Sequence, residues 1–226
     1  MKILQEYEEE THVVNGPWQM KTVEFKPAAP KSITLLLHGY NERGLRIFRK
    51  LKRALPIDTY IIAPNGPFPM PRPKADKLDF GYAWNFYDDH NGKYHVDEQT
   101  IVSLIKNLID PLNPEKLPIT IIGFSQGGFL APLLAYGIPE VKHVIGIGCI
   151  FRPRFFPKPP SFTLDAIHGE SDAIVSPERA LQEIEVLKTE GIKVNWHSLP
   201  ELKHEINLDV IKLITTLTET HGKESL

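Results

Sequence analysis

The feature that most constrains this chain is a regular alternation. Short apolar, β-branched runs are separated by stretches whose apolar residues recur at helical spacing. The strand-like runs are KTVEFK, SITLLLHG, TYIIAPN, ITIIGFS, HVIGIG, FTLDAIHG and KVNWHSLP. Most are apolar at successive positions, the pattern of strands covered on both faces. Helical patterns lie between them at 43–55, 97–110, 127–137, 177–190 and 205–219, the last with Ile206, Val210, Leu213, Ile214 and Leu217 on one stripe. A right-handed crossover helix is the usual return to a parallel neighbour, so the alternation predicts an α/β sandwich: a mostly parallel sheet with helices on both faces. A chain of 226 residues can bury one substantial core, and one domain over 1–226 is expected.

One segment breaks the rhythm. Residues 64–96 carry prolines at 64, 67, 69, 71 and 73 and read as a long ordered loop, the wall of a site and not a linker. Composition narrows the function. A net charge of −2 and a pI near 6.5 leave no general preference for polyanions, and the most basic stretch, FRPRFFPKPP, is short; nucleic acid is not an expected partner. The start, MKILQEYEEETHVV, has four glutamates where a signal peptide needs an apolar region, and no run reaches the ~18 apolar residues of a membrane span. A cytoplasmic protein without stable membrane insertion is expected. Cys149, the one cysteine, excludes an internal disulfide and a four-cysteine metal site and reads as a packing residue.

The stretch ITIIGFSQGGFLAPLLAYG sets Ser125 between a strand and a helix, at the sheet's carboxyl edge, where α/β proteins bind ligands. Gly123-Phe124-Ser125-Gln126-Gly127 fits G-x-S-x-G, in which a serine occupies a strained turn and the glycines remove side chains that would clash. A phosphate loop would need a lysine after the glycines, and none follows. A plain helix cap is the remaining alternative, but a cap does not require flanking glycines.

A serine hydroxyl attacks only when a base takes its proton, so the reading demands a histidine held by an acid, in the order serine, acid, histidine. Asp172 follows the strand-like FTLDAIHG and precedes a helix that Ser176 caps and Pro177 begins. Asp165 and Asp209 fall inside a strand and a helix pattern; Glu170 remains a rival. After Asp172 the histidines are His197, within a strand pattern, His221, in a polar tail, and His204, in the loop LPELKHEIN. His204 is the expected base. For the oxyanion, one donor is the N–H of Gln126 at the start of the helix, and the second is the N–H of Tyr40 in LLLHGYNERG, with Gly39 turning the chain and His38 bracing the loop. Trp84 and Phe86, in the segment that must cross the sheet's carboxyl edge, are expected to line the acyl pocket.

Taken together, LLLHGY, GFSQGG, HGESDAIV, KHEI and AWNFYD resemble the carboxylesterase and phospholipase group of α/β-hydrolases, which includes the acyl-protein thioesterases. The resemblance spans most of the chain. It implies an α/β-hydrolase fold without a separate cap domain, Ser125, Asp172 and His204 as the triad, Tyr40 and Gln126 as oxyanion donors, a small-molecule acyl ester or thioester as substrate, and neither metal nor cofactor. The chain departs from the group in two places. Gly148-Cys149-Ile150 and the bulky RPRFFP stand where the group has a small Ser-Gly turn, and Pro132 lies inside the helix after the serine, where a kink is expected. Two rival functions stay open: a non-catalytic small-molecule receptor on the same fold, which would not need all three triad positions, and a serine peptidase. The oligomeric state is not legible.

Overall fold

The computed structural model describes residues 18–88, 93–94 and 98–224. In chain order the elements are β1 (Thr22–Phe25), β2 (Ser32–Leu37), α1 (Gly44–Leu51), β3 (Thr59–Pro64), β4 (Phe68–Pro73), β5 (Leu78–Ala83), β6 (Tyr87–Asp88), β7 (Lys93–Tyr94), α2 (Glu98–Leu112), β8 (Ile119–Phe124), α3 (Gln126–Gly137), β9 (Val141–Ile147), β10 (Thr163–Gly169), α4 (Pro177–Thr189), β11 (Asn195–Leu199) and α5 (Leu208–Glu224). The central sheet has seven strands in the order β1-β3-β2-β8-β9-β10-β11. Each is one of the seven strand-like runs, and all pair in parallel except the edge strand β1.

Successive residues of a strand point to opposite faces, so one apolar run feeds two cores. Leu35 and Leu37 of β2, Ile121 of β8 and Val144 of β9 join Ile105 of α2 and Leu134 of α3 in one buried cluster. Leu36, Ile122 and Ile145, one position along, join Ile47 and Leu51 of α1 and Val210 and Ile214 of α5 in the other. The expected stripe of α5 thereby faces the core, with Val210 and Ile214 buried and Leu213 and Leu217 partly so, although the helix begins three residues later than its periodicity predicts. Asn207 sets that start: its Oδ1 accepts the N–H groups of Asp209 at 3.0 Å and Val210 at 3.1 Å, satisfying donors that no helical carbonyl reaches. At α4, Ser176 Oγ likewise accepts the Arg179 N–H and Pro177 is the first residue.

The proline-rich segment is not the loop expected from its composition. Phe68–Pro73 and Leu78–Ala83 form an antiparallel hairpin, β4 with β5. The prolines at 69, 71 and 73 recur with the period of a strand and are exposed, so all their missing N–H groups face one way, toward the open edge of a two-stranded ribbon. Proline content reads as loop only when that period is overlooked. Residues 89–92 and 95–97 of the same expected loop, and the acidic start of the chain, lie outside the described residues. α3 runs unbroken through Pro132. Among the described residues no helix is long and apolar enough to cross a membrane.

Candidate active site

Ser125 sits between the end of β8 and the first residue of α3, with φ 50° and ψ −117°. A non-glycine residue at positive φ costs on the order of 1–3 kcal/mol and persists only where its surroundings enforce it. Here they do. The Ser125 N–H donates to the Ile147 carbonyl at 2.8 Å. A Cβ on Gly123 would come within 2.4 Å of the Gly127 carbonyl oxygen, and one on Gly127 within 2.4 Å of the Leu37 carbonyl oxygen. Both positions must be glycine for β8, α3 and β2 to pack this closely. The hydroxyl makes no capping bond to α3; it reaches His204 instead, which removes the helix-cap reading.

The Ser125 Oγ–H donates to His204 Nε2 at 3.0 Å, and His204 Nδ1–H donates to Asp172 Oδ2 at 2.8 Å. Asp172 Oδ1 accepts the backbone N–H groups of Ile174 and Val175, each at 2.9 Å. The carboxylate is thus buried with both oxygens occupied, and its fixed position sets the tautomer of the imidazole. Glu170, two residues away, is exposed and accepts from Ser198 Oγ; it does not contact His204. Gly148 closes the floor. At φ 55° a Cβ there would lie 3.2 Å from His204 Nδ1 and 3.3 Å from Asp172 Oδ2, so the departure from a Ser-Gly turn puts a bare backbone under the pair. The Phe124 ring packs on His204 at 4.9 Å between centroids. On the α1 side of His204 lies a polar cavity of about 90 Å³ bordered by Glu42, Arg46, Lys50 and Glu205.

Tyr40 lies in a turn after β2 that is held from several sides. The Gly66 N–H donates to His38 Nε2 at 2.9 Å, which makes Nδ1 the protonated nitrogen, and Nδ1–H donates to the Gly39 carbonyl at 2.7 Å. Burial, assisted by the charge of Arg72, lowers the His38 pKa to about 4. The bracing role expected for His38 is therefore seen as geometry. The left-handed residue of the turn is Asn41, at φ 56°; at Gly39 a Cβ would approach the Phe124 ring to 3.0 Å, which favours a residue without a side chain there. The Gln126 N–H opens α3, and its side chain, which the sequence reading passed over, is fully engaged: Oε1 accepts the Trp84 N–H, while Nε2 donates to the Asn85 carbonyl and to Asn85 Oδ1, all at 2.9 Å.

Trp84 does not form a pocket wall. Its side chain has no exposed surface, its Nε1–H donates to the His38 carbonyl at 2.8 Å, and its ring lies 4.8 Å from that of His38. A tryptophan buries more area than any other side chain and its N–H needs a partner, and both needs are met here beneath the loop. Phe86 is half-buried and packs on Phe68 of β4 at 5.3 Å. Cys149 is buried, and desolvation pushes its thiol pKa up, as suits a packing residue. Among the described residues no group of three or more His, Cys, Asp or Glu side chains is arranged to hold a metal ion.

A serine on this turn at the carboxyl edge of a mostly parallel sheet, reached by a histidine from a later loop, is the arrangement of the α/β-hydrolases, and that is the fold class of this protein. Within the class the chain belongs to the phospholipase/carboxylesterase family, whose sequence pattern matches residues 19–222. It is a hydrolase of the esterase and thioesterase kind. It is 29% identical over 200 residues to acyl-protein thioesterase 1 homolog 1 of Dictyostelium discoideum, covering 79% of this chain and 85% of that protein. Esterase PE8 superposes with a TM-score of 0.71 at 22% identity over 89% of this chain and 99% of that one. Zea mays acyl-protein thioesterase 2 superposes with a TM-score of 0.69 at 18% identity over 90% and 99%. At such identities these two structures speak to the fold.

Proposed function

We propose that the protein cleaves carboxylic esters or thioesters through an acyl-enzyme on Ser125. The observation that carries this reading is the continuous hydrogen-bond chain from Ser125 through His204 to Asp172, three groups brought together from three different loops. Ser125 Oγ attacks the acyl carbonyl as His204 Nε2 takes its proton, and buried Asp172 stabilises the imidazolium. The N–H groups of Gln126 and Tyr40 donate to the tetrahedral oxyanion. Collapse expels the alcohol or thiol, protonated by His204. Water, deprotonated by the same nitrogen, then attacks the acyl-enzyme and releases the acid. The likeness to a protein named as an acyl-protein thioesterase supports a thioester among the substrates, and Phe86 remains the residue assigned to the acyl wall.

The test is covalent labelling with a fluorophosphonate, read by intact mass, followed by ester and thioester panels of varied acyl length. The expected result is one adduct, absent from Ser125→Ala, and turnover that depends on acyl length. A folded protein that neither labels nor hydrolyses any member of the panels would overturn the acyl-enzyme reading.

A further inference from the structure

We propose that the β4–β5 hairpin positions the oxyanion loop, and that Arg72 is its decisive residue: by bonding Asn41 it holds the turn that aims the Tyr40 N–H at the reacting carbonyl. The inference rests on the ester-hydrolase reading of Ser125. The turn is short, and the amides of Gly39 and Glu42 are already committed, Gly39 N–H to Glu42 Oε2 at 3.3 Å and Glu42 N–H to the Gly39 carbonyl at 3.2 Å. Past Tyr40, Asn41 is left-handed at φ 56°, a conformation that asparagine adopts more readily than other non-glycine residues but that its own side chain does not lock. Arg72 of β4 supplies a restraint: its Nε–H donates to Asn41 Oδ1 at 2.8 Å.

The rest of the hairpin is shaped around that contact. A Cβ on Gly81 would lie 2.1 Å from Asn41 Oδ1 and 2.4 Å from the Asn41 carbonyl oxygen, so β5 reaches the turn only because residue 81 has no side chain. One residue on, the Tyr82 N–H donates to the Glu42 carbonyl at 2.8 Å in an antiparallel bridge. Arg43 bonds back to Phe80 and Asp79. Past the hairpin, Trp84 and Asn85 engage the Gln126 side chain. The ribbon and the residues that directly follow it thus touch both segments that carry the proposed oxyanion donors. A donor helps only if it is fixed where charge develops, so loosening this ribbon acts on the transition state and not on substrate binding.

The experiment compares wild type with Arg72→Met, Asn41→Gly, the double mutant and Arg72→Lys. Asn41→Gly keeps the left-handed backbone accessible while removing the acceptor, and it replaces Arg72→Met should that variant not fold. Readouts are kcat and KM on an activated ester, affinity for an alkyl boronic acid that forms a tetrahedral adduct with the serine, and thermal midpoint. Arg72→Met and Asn41→Gly should each lower kcat and boronate affinity by roughly 10- to 100-fold with KM changed by no more than about twofold. The double mutant should be no worse than the poorer single mutant, since both remove one bond, and Arg72→Lys should recover part of the loss. A folded Arg72→Met or Asn41→Gly with near-wild-type kcat and boronate affinity overturns the proposal while leaving the serine hydrolase intact. A wild-type protein that neither labels nor hydrolyses removes the functional reading and this proposal with it.

Discussion

At the scale of single residues, the Ser125–His204–Asp172 chain predicts one kinetic unit. Ser125→Ala and His204→Ala should each lower kcat by roughly 10⁴-fold or more, and together little further, because a step already lost is not lost twice. Asp172→Asn should cost a similar or somewhat smaller factor by disturbing the tautomer, whereas Glu170→Gln, whose carboxylate meets Ser198, should keep most activity. Ester hydrolysis with circular dichroism checks all of these, and near-wild-type turnover in folded Ser125→Ala would defeat the reading. His38 makes a separate prediction about pH. Its folded pKa of about 4 lies below the ordinary 6.5, so the unfolded chain takes up the proton first as pH falls. The stability at stake is fully present above about pH 6.5 and is lost progressively toward pH 4, amounting to about 2 kcal/mol at pH 5. Urea midpoints at pH 7 and 5 should show that loss in wild type and its absence in His38→Asn.

Elements differ in how openly their residues announce them. The five inner strands of the central sheet are legible because burial on both faces makes them largely apolar, the edge strands β1 and β11 because β-branched and aromatic residues stand in short runs between helical patterns, and the helices because their core-facing residues recur at helical spacing. The β4–β5 hairpin is hidden because its prolines mask the two-residue period and much of its anchorage is to the turn at Asn41–Arg43, with only its base, Phe68 and Ala83, meeting the core. Position within this region also separates two aromatic residues that look equivalent in sequence. Trp84 is buried against His38, so Trp84→Ala should destabilise the fold by about 3–5 kcal/mol. Phe86 keeps some exposure, so Phe86→Ala should leave the thermal midpoint nearly unchanged and shift the acyl-length profile of hydrolysis. A profile identical to wild type would take Phe86 out of the pocket.

Across the whole molecule, a buried polar cluster within the sheet is separate from the proposed chemistry at its carboxyl edge. Asp165, the third residue of β10, is buried and accepts from His143 Nε2 on β9 and His197 Nε2 on β11, both at 2.6 Å. Burial alone would raise its pKa, but these two donors outweigh it and hold the carboxyl below the usual range. It pins three strands, while Ser125, Asp172 and His204 lie past the carboxyl ends of β8, β10 and β11. Asp165→Ala should therefore cost about 3–5 kcal/mol of stability, read as the urea midpoint, with kcat per folded molecule close to wild type. A large loss of kcat without loss of stability would contradict that division. The sequence by itself determined the parallel sheet and the tight turn at Ser125, because these rest on periodicity and on residue types forced by local backbone geometry. Only the tertiary structure decided that Asp172 and not Glu170 meets His204, that Trp84 packs inward, that Asn41 carries the turn's strain, and that a hairpin braces it. Each of those depends on where a side chain ends up relative to residues far away in the chain, and local pattern carries no record of that.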